Sequence, residues 1–293
     1  MDKNRVKRRK RRRWMGYVAF LVLVLTGAAI LCLAMFFRTK EIVVTGNDRY
    51  TAEELISASG IQLEQNIFTV DRGRTAAQIK SVFSYLEEVQ VVPVMPTTME
   101  IRVVESIPQL MVVNSAESYS LLSTGGRVIE QCLGMAGEEL PLVVGTDFSW
   151  CAQGAYPEEL PPEVTNRRHK EHRDATEREL EAVRVMQTLR YVTASAEATG
   201  FSGINYIDVS DDLCTSLLWD KRVLLRLGTE LELDRKLTFA KAVLEELGED
   251  FTGTIDLSVF SKNSRAYTRE QKAEEFMDPF YLEHYYKYSW SPV

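Results

Sequence analysis

The chain has 293 residues, of which 45% are hydrophobic and 26% charged; these ordinary values exclude global disorder. Its net charge of −7 is unevenly spread, because residues 1–13 hold nine Lys or Arg and one Asp, a sum of +8, which leaves −15 for the rest. An acidic body of this kind repels phosphates, which argues against nucleic-acid binding by the body.

Residues 17–37 predict a single transmembrane helix. They contain no charged residue, and 21 residues of helix span ~31 Å, about the thickness of the hydrocarbon core of a bilayer. A cleavable signal peptide has a shorter apolar region and a small-residue cleavage site, whereas this run ends in Met35, Phe36 and Phe37. The basic segment 1–16 is predicted to be a cytoplasmic tail, so the remaining chain is predicted to be extracytoplasmic.

Residues 38–107 predict a small α+β unit in the order β-α-α-β-β. The predicted elements are a strand at 41–45, a helix at 51–59, an extended piece at 66–71, a helix at 74–86, and strands at 89–94 and 99–103. The first helix begins with a capping box, in which Thr51 and Glu54 bond each other's backbone amides, and ends at Gly60.

Residues 108–265 predict a second domain, a mixed-sheet β domain with flanking helices. Its predicted elements are strands at 119–122, 128–132 and 142–144, a helix at 175–191, strands at 204–209, 213–219 and 223–227, a helix at 233–247 and a strand at 254–260. The helix at 175–191 has a rough apolar stripe that includes Leu180 and Val183, and the helix at 233–247 ends at Gly248. Because the strand at 254–260 is the last in the chain, it is predicted to lie at a sheet edge.

A C-terminal tail, residues 266–293, is rich in aromatic residues, unlike a typical disordered tail. Seven of them lie within fifteen residues, namely Phe276, Phe280, Tyr281, Tyr285, Tyr286, Tyr288 and Trp290. Two interpretations remain open: the tail packs back on the β domain, or it presents aromatic anchors to a partner.

Short motifs follow one another along residues 14–265, at segments 42–47, 50–54, 66–71, 125–128, 140–145, 206–208, 227–228, 234–237 and 254–257. Their order and spacing resemble those of the FtsQ/DivIB family of bacterial cell-division proteins. This resemblance implies that the first external unit is a POTRA domain and the second the family's β domain. The charged loop at 155–175 and the tail after Ser261 depart from the family pattern.

The resemblance also implies a role without catalysis. Family members are single-pass membrane scaffolds of the division septum that help to localise and regulate septal peptidoglycan synthesis. Their implied partners are bitopic coiled-coil proteins of the FtsL and FtsB/DivIC types and, through them, the FtsW/FtsI synthase pair. Two alternatives are an envelope enzyme such as a wall hydrolase and a POTRA-bearing accessory protein of an export or transport system.

The candidate partner-binding site is the last predicted strand and the residues after it. An edge strand exposes unpaired N–H and C=O groups that an extended segment of a partner can complete, and the resemblance implies FtsB-type docking there. The candidate residues are Ser258, Val259, Phe260, Ser261, Arg265, Ala266 and Tyr267. In the competing interpretation, Val259 and Phe260 fill the core and the tail covers the edge.

No catalytic, metal or cofactor site is predicted. The sequence has no GxSxG, SxxK or P-loop motif, and His169 and His172 are interpreted as solvated residues of a charged loop. The external cysteines have no metal-binding spacing and are interpreted as small buried hydrophobic residues, although a bridge between Cys132 and Cys151 remains open.

Overall fold

The computed structural model describes residues 3–115, 118–133, 140–159, 177–260 and 265–282. The chain forms two compact units, Met1–Glu105 and Ser106–Val293. Among the residues whose side chains the structure describes, which leaves out 3–13 and 29–34 of the N-terminal helix, no helix combines the length and the apolar content needed to cross a membrane.

The first unit contains a long N-terminal helix followed by a small domain with the predicted order β-α-α-β-β. Its elements are α1 (Lys3–Phe36), β1 (Glu41–Thr45), α2 (Ala52–Ser59), α3 (Arg72–Val82), β2 (Leu86–Val94) and β3 (Thr98–Glu105). The sheet has the order β1-β3-β2, in which β1 is parallel and β2 antiparallel to β3. The predicted order of elements in this unit is confirmed.

Helices α2 and α3 begin at side-chain caps. Thr51 and Glu54 form the predicted capping box, and Gly60 ends α2 in the left-handed conformation at φ 66°. Asp71 caps α3 by accepting a hydrogen bond from the amide of Arg74 at 3.1 Å. Buried residues of both helices and of the sheet form one core that includes Leu55, with none of its surface exposed.

One helix end and one element type are predicted wrongly in this unit. The second helix ends at Val82, not at residue 86, because Phe83 has an extended backbone and Leu86 already pairs with Glu105 in the sheet. The segment 66–71 is a turn, not an extended piece, because the side chain of Asn66 accepts a hydrogen bond from the amide of Phe68 and shapes the chain locally.

The second unit is built on one mixed sheet. Its elements are β4 (Pro108–Ser115), β5 (Ser118–Ser123), β6 (Val128–Leu133), β7 (Leu142–Val144), α4 (Glu177–Thr199), β8 (Ile204–Asp208), β9 (Thr215–Trp219), β10 (Val223–Gly228), α5 (Leu233–Leu247), β11 (Gly253–Asp256), β12 (Tyr267–Glu270), α6 (Ala273–Phe276) and α7 (Pro279–Tyr281). The strand order is β12-β11-β10-β9-β8-β7-β4-β5-β6. The pairs β4–β7, β7–β8 and β10–β11 are parallel and the others antiparallel, which confirms the predicted mixed sheet.

Helices α4 and α5 share one core with the sheet. The apolar face of α5 is the predicted one, since Leu237 and Ala240 are fully buried. In α4 the predicted stripe is partly wrong: Leu180 and Val183 are exposed, and the buried face runs instead through Ala182, Val185, Met186, Leu189, Val192 and Ala196. The buried face includes two alanines, which a search for large apolar residues overlooks.

Candidate protein-interaction site

The open edge of the large sheet lies one strand beyond its predicted position. β11 is short, ends at Asp256, and pairs with β10 on one side and β12 on the other, so it is an internal strand. The prediction that the strand at 254–260 is the edge is therefore wrong. Residues 267–270, which belong to the predicted tail, add a further strand that takes the edge position.

The four residues of β12 are all exposed, and the strand has β11 as its one neighbour in the sheet. It is antiparallel to β11, with Asp256 opposite Tyr267 and Gly253 opposite Glu270. Strands of this length and polarity are typical of protected sheet edges. β12 therefore has a side on which no strand of the described sheet lies.

The direction of each backbone group in β12 follows from its register. The amide of Gln271 donates to the carbonyl oxygen of Thr252 at 3.0 Å, so this pair faces β11. In an antiparallel ladder the bonding direction alternates along the strand. The N–H and C=O groups of Tyr267 and Arg269 consequently point towards β11, while those of Thr268 and Glu270 point to the open side.

The turn after β11 places the first candidate residues. The carboxylate of Asp256 accepts hydrogen bonds from the amide and the hydroxyl of Ser258, at 2.8 and 2.6 Å. The backbone of Gly228 passes so close that a Cβ built there would lie 2.8 Å from Cα of Ser258. Ser258 is thus held by its neighbours, and Val259 next to it is 63% exposed.

The other candidate residues divide between the core and the surface. Phe260 packs against the core, with its ring centroid 5.5 Å from that of Phe239, and Ala266 also packs against it. Arg265 and Tyr267 are exposed, and Ser261 lies outside the described residues. The structure therefore gives Val259, Arg265 and Tyr267 accessible side chains but assigns Phe260 largely to packing.

The chain after β12 is attached to the domain. Ala273 and Met277 are buried, and the ring of Tyr281 lies 5.0 Å from that of Tyr206 on β8. The hydroxyl of Tyr206 accepts a hydrogen bond from the amide of Asp278 at 3.1 Å. Burial raises the pKa of Tyr206 despite the opposing effect of the hydrogen bond from Asp278, so this hydroxyl stays protonated. These contacts favour the interpretation that the tail packs back on the β domain, as far as residue 282.

Sequence reasoning missed Thr268, Arg269 and Glu270, the rest of the edge strand. The β-propensity of Tyr267 and Thr268 is the one local feature of the sequence that indicates a strand here. A four-residue strand without alternating apolar residues has no hydrophobic pattern, so its pairing depends on the position of β11 rather than on its own sequence.

The remaining chemistry-bearing residues form no further site in the part of the chain that the structure describes. That part contains no group of three or more His, Cys, Asp or Glu residues that could hold a metal ion. Cys132, Cys151 and Cys214 are thiols, so the bridge left open between the first two is not formed. Burial and, secondarily, Glu159 raise the pKa of Cys151 to about 11. His169 and His172 lie outside the described residues.

Comparison with known proteins agrees with the geometry of the first unit. A family profile described as "POTRA domain, FtsQ-type" matches residues 37–106. The chain is 31% identical over 116 residues to the cell division protein DivIB of Streptococcus gordonii, a match that covers 37% of this chain and 29% of that protein. The matched part is thus under a third of the relative's length. These two findings confirm the resemblance to the FtsQ/DivIB family.

Proposed function

We propose that this chain is a bitopic, non-enzymatic scaffold of the bacterial division septum. It binds small coiled-coil proteins of the FtsL and FtsB/DivIC types and, through them, helps to localise and regulate the FtsW/FtsI pair that synthesises septal peptidoglycan. The observation that carries the proposal is the open polar edge at β12 in a chain that also has an FtsQ-type POTRA domain.

The proposed binding mode is strand addition to β12. The outward N–H and C=O groups of Thr268 and Glu270 offer a partner's extended segment a ready ladder. Each backbone hydrogen bond contributes a net ~0.5–1.5 kcal/mol, so side chains must add affinity and specificity. Of the exposed candidates Ser258, Val259, Arg265 and Tyr267, the first is small and bonded to Asp256, and Val259 and Tyr267 are apolar or aromatic.

The proposed membrane anchor is residues 17–37, with the basic tail 1–16 in the cytoplasm. This part of the proposal is supported by the uncharged sequence of the segment, most of which lies in α1. All side chains between residues 14 and 28 are exposed and most of them are apolar. A helix that is apolar all round is suited to an apolar surrounding, and the preceding Lys and Arg residues favour a cytoplasmic N-terminus.

Proline substitution at the edge tests the binding mode. Thr268→Pro removes one outward N–H and leaves the inward bonds of the flanking residues, and proline is tolerated on an edge strand where the N–H faces outward. We expect binding of the FtsB/DivIC-type partner to full-length protein in nanodiscs to weaken about tenfold or more, because a partner carbonyl loses its donor and meets the proline ring. Thr268→Ala keeps the N–H and is the matched control. Equal binding by both variants, with unchanged thermal stability, would rule out strand addition at this position.

Two further experiments separate the alternatives. A fluorescent fusion should form a ring at midcell, whereas uniform peripheral signal would favour an export or transport role. Zymography on peptidoglycan should show no cleared band, and clearing by the purified chain would favour a wall hydrolase.

A further inference from the structure

The loop 60–70 of the POTRA domain is bonded to the chain that leaves α1. The amide of Thr39 donates to the carbonyl oxygen of Gln65 at 2.8 Å, and the amide of Glu64 donates back to Thr39 at 2.7 Å. The amide of Ile67 donates to the carbonyl oxygen of Phe37 at 3.0 Å. The loop is therefore fixed beside the first residues after α1.

Apolar side chains of this loop point both inward and outward. Ile61 and Ile67 are buried in the core of the domain, at 8% and 2% exposure. Leu63 and Phe68 are 61% and 58% exposed. Each exposed residue lies in a turn, one next to Glu64 at φ +66° and the other in the turn made by Asn66. Two large apolar side chains are thus held out from a loop that is itself well anchored.

The exposed loop residues continue the apolar surface at the end of α1. The ring of Phe37 lies 5.2 Å from that of Phe68, and Phe36, the last residue of α1, is 73% exposed. We name Phe36, Phe37, Leu63 and Phe68 the apolar rim. Phe37 is half-buried against the core of the domain, and the other three residues of the rim are exposed. Contiguous exposed apolar surface marks an interaction site more often than single exposed residues do.

We propose that the apolar rim inserts into the interfacial layer of the extracytoplasmic leaflet of the cell membrane and holds the POTRA domain against the lipid surface. The inference rests on the proposed anchor, because the rim begins where residues 17–37 end. Aromatic residues concentrate at this depth of a bilayer, where rings meet both acyl chains and headgroups. A second contact with the membrane, made by the loop, restricts the tilt of the domain more than the anchor helix alone would.

The charges at the rim identify its contact as apolar rather than electrostatic. The guanidinium of Arg38 lies 3.6 Å from the carboxylate of Glu64, so these two charges beside the loop balance each other within the protein. Attraction of a polybasic segment to anionic lipid requires a surplus of Lys and Arg. The rim is therefore expected to insert equally well in zwitterionic and in anionic bilayers.

Photo-crosslinking to lipid tests the inference on the full chain. Single p-benzoylphenylalanine residues are placed at positions 63 and 68, at position 25 within the proposed anchor, and at Glu53, an exposed residue of α2, as the control. Each protein is reconstituted in nanodiscs of phosphatidylcholine, with or without phosphatidylglycerol, irradiated, and digested for mass spectrometry of lipid adducts.

We expect lipid adducts at positions 25, 63 and 68 in both lipid compositions and no lipid adduct at position 53. Adducts at 25 without adducts at 63 and 68 would overturn the rim while leaving the anchor intact. No adducts at 25 would remove the anchor and the rim together. If the same residues irradiated in dividing cells yield a protein adduct in place of lipid, the rim is a protein contact and the inference fails.

Discussion

Replacing Gly253 by alanine should release β12 from the sheet without unfolding the domain. Gly253 begins β11 at φ +153°, a conformation that residues with a side chain rarely adopt, and a Cβ there would overlap the carbonyl oxygen of Arg269 on β12. Strain of this kind costs ~1–3 kcal/mol. A domain stability of ~5–15 kcal/mol tolerates that loss, but a four-residue exposed edge strand does not.

The effect is measurable as amide hydrogen exchange in β12. A local penalty of ~2 kcal/mol corresponds to about 30-fold faster exchange at the inward amides of Tyr267 and Arg269. Amides of the internal strands β9 and β10 should keep their protection. The proposed partner should also bind more weakly, because its template strand is displaced for a larger fraction of the time.

The matched control is Gly200→Ala at the end of α4. Gly200 also has a positive φ, +63°, but a Cβ there meets nothing within 4 Å. The substitution should lower the overall stability by ~1–2 kcal/mol without a selective change in β12. If Gly253→Ala leaves the exchange at Tyr267 and Arg269 at the wild-type rate, the pairing of β11 with β12 is not as described and the reasoning fails.

Three further predictions concern the two domains. Thr51→Ala should destabilise the POTRA domain by ~1 kcal/mol in urea unfolding, because α2 loses its capping box; an unchanged midpoint would contradict this. Burial lowers the pKa of Lys236, whose ammonium group donates hydrogen bonds to two backbone carbonyl oxygens at 2.7 and 2.8 Å. Lys236→Met should therefore lower the free energy of unfolding by ~2–4 kcal/mol, whereas Lys241→Met, at an exposed position, should lower it by less than ~0.5 kcal/mol. At pH 8 a thiol of pKa about 11 is ~0.1% thiolate, so iodoacetamide should alkylate Cys151 at least tenfold more slowly than the half-buried Cys214; equal rates would contradict the burial.

The elements that could be predicted from sequence are those with a strong local signal. The helix 233–247 has five apolar residues on one face and a glycine after its last turn, and its observed bounds are the predicted ones. The capping box at Thr51 likewise determines where α2 begins. In both cases the residues that determine where the helix begins or ends lie within one short segment of the chain.

Two features that the sequence did not predict, the strand β12 and the end of α3, depend on contacts distant in sequence. Nothing within Tyr267–Glu270 requires a strand, and the segment becomes one because β11 offers a free side. The end of α3 is set by the pairing of Leu86 with Glu105, almost twenty residues further along the chain. The observed sheet edge therefore lies one strand beyond the predicted one, and its outermost residues could be found only from the sheet order.

Residue-resolved amide exchange of β12 on adding the FtsB/DivIC-type partner tests the central claim most directly. Strand addition predicts that the outward amides of Thr268 and Glu270 gain protection when the partner binds, whereas the inward amides of Tyr267 and Arg269, already bonded to β11, change little. Binding of the partner with no new protection at Thr268 and Glu270 would contradict the proposal.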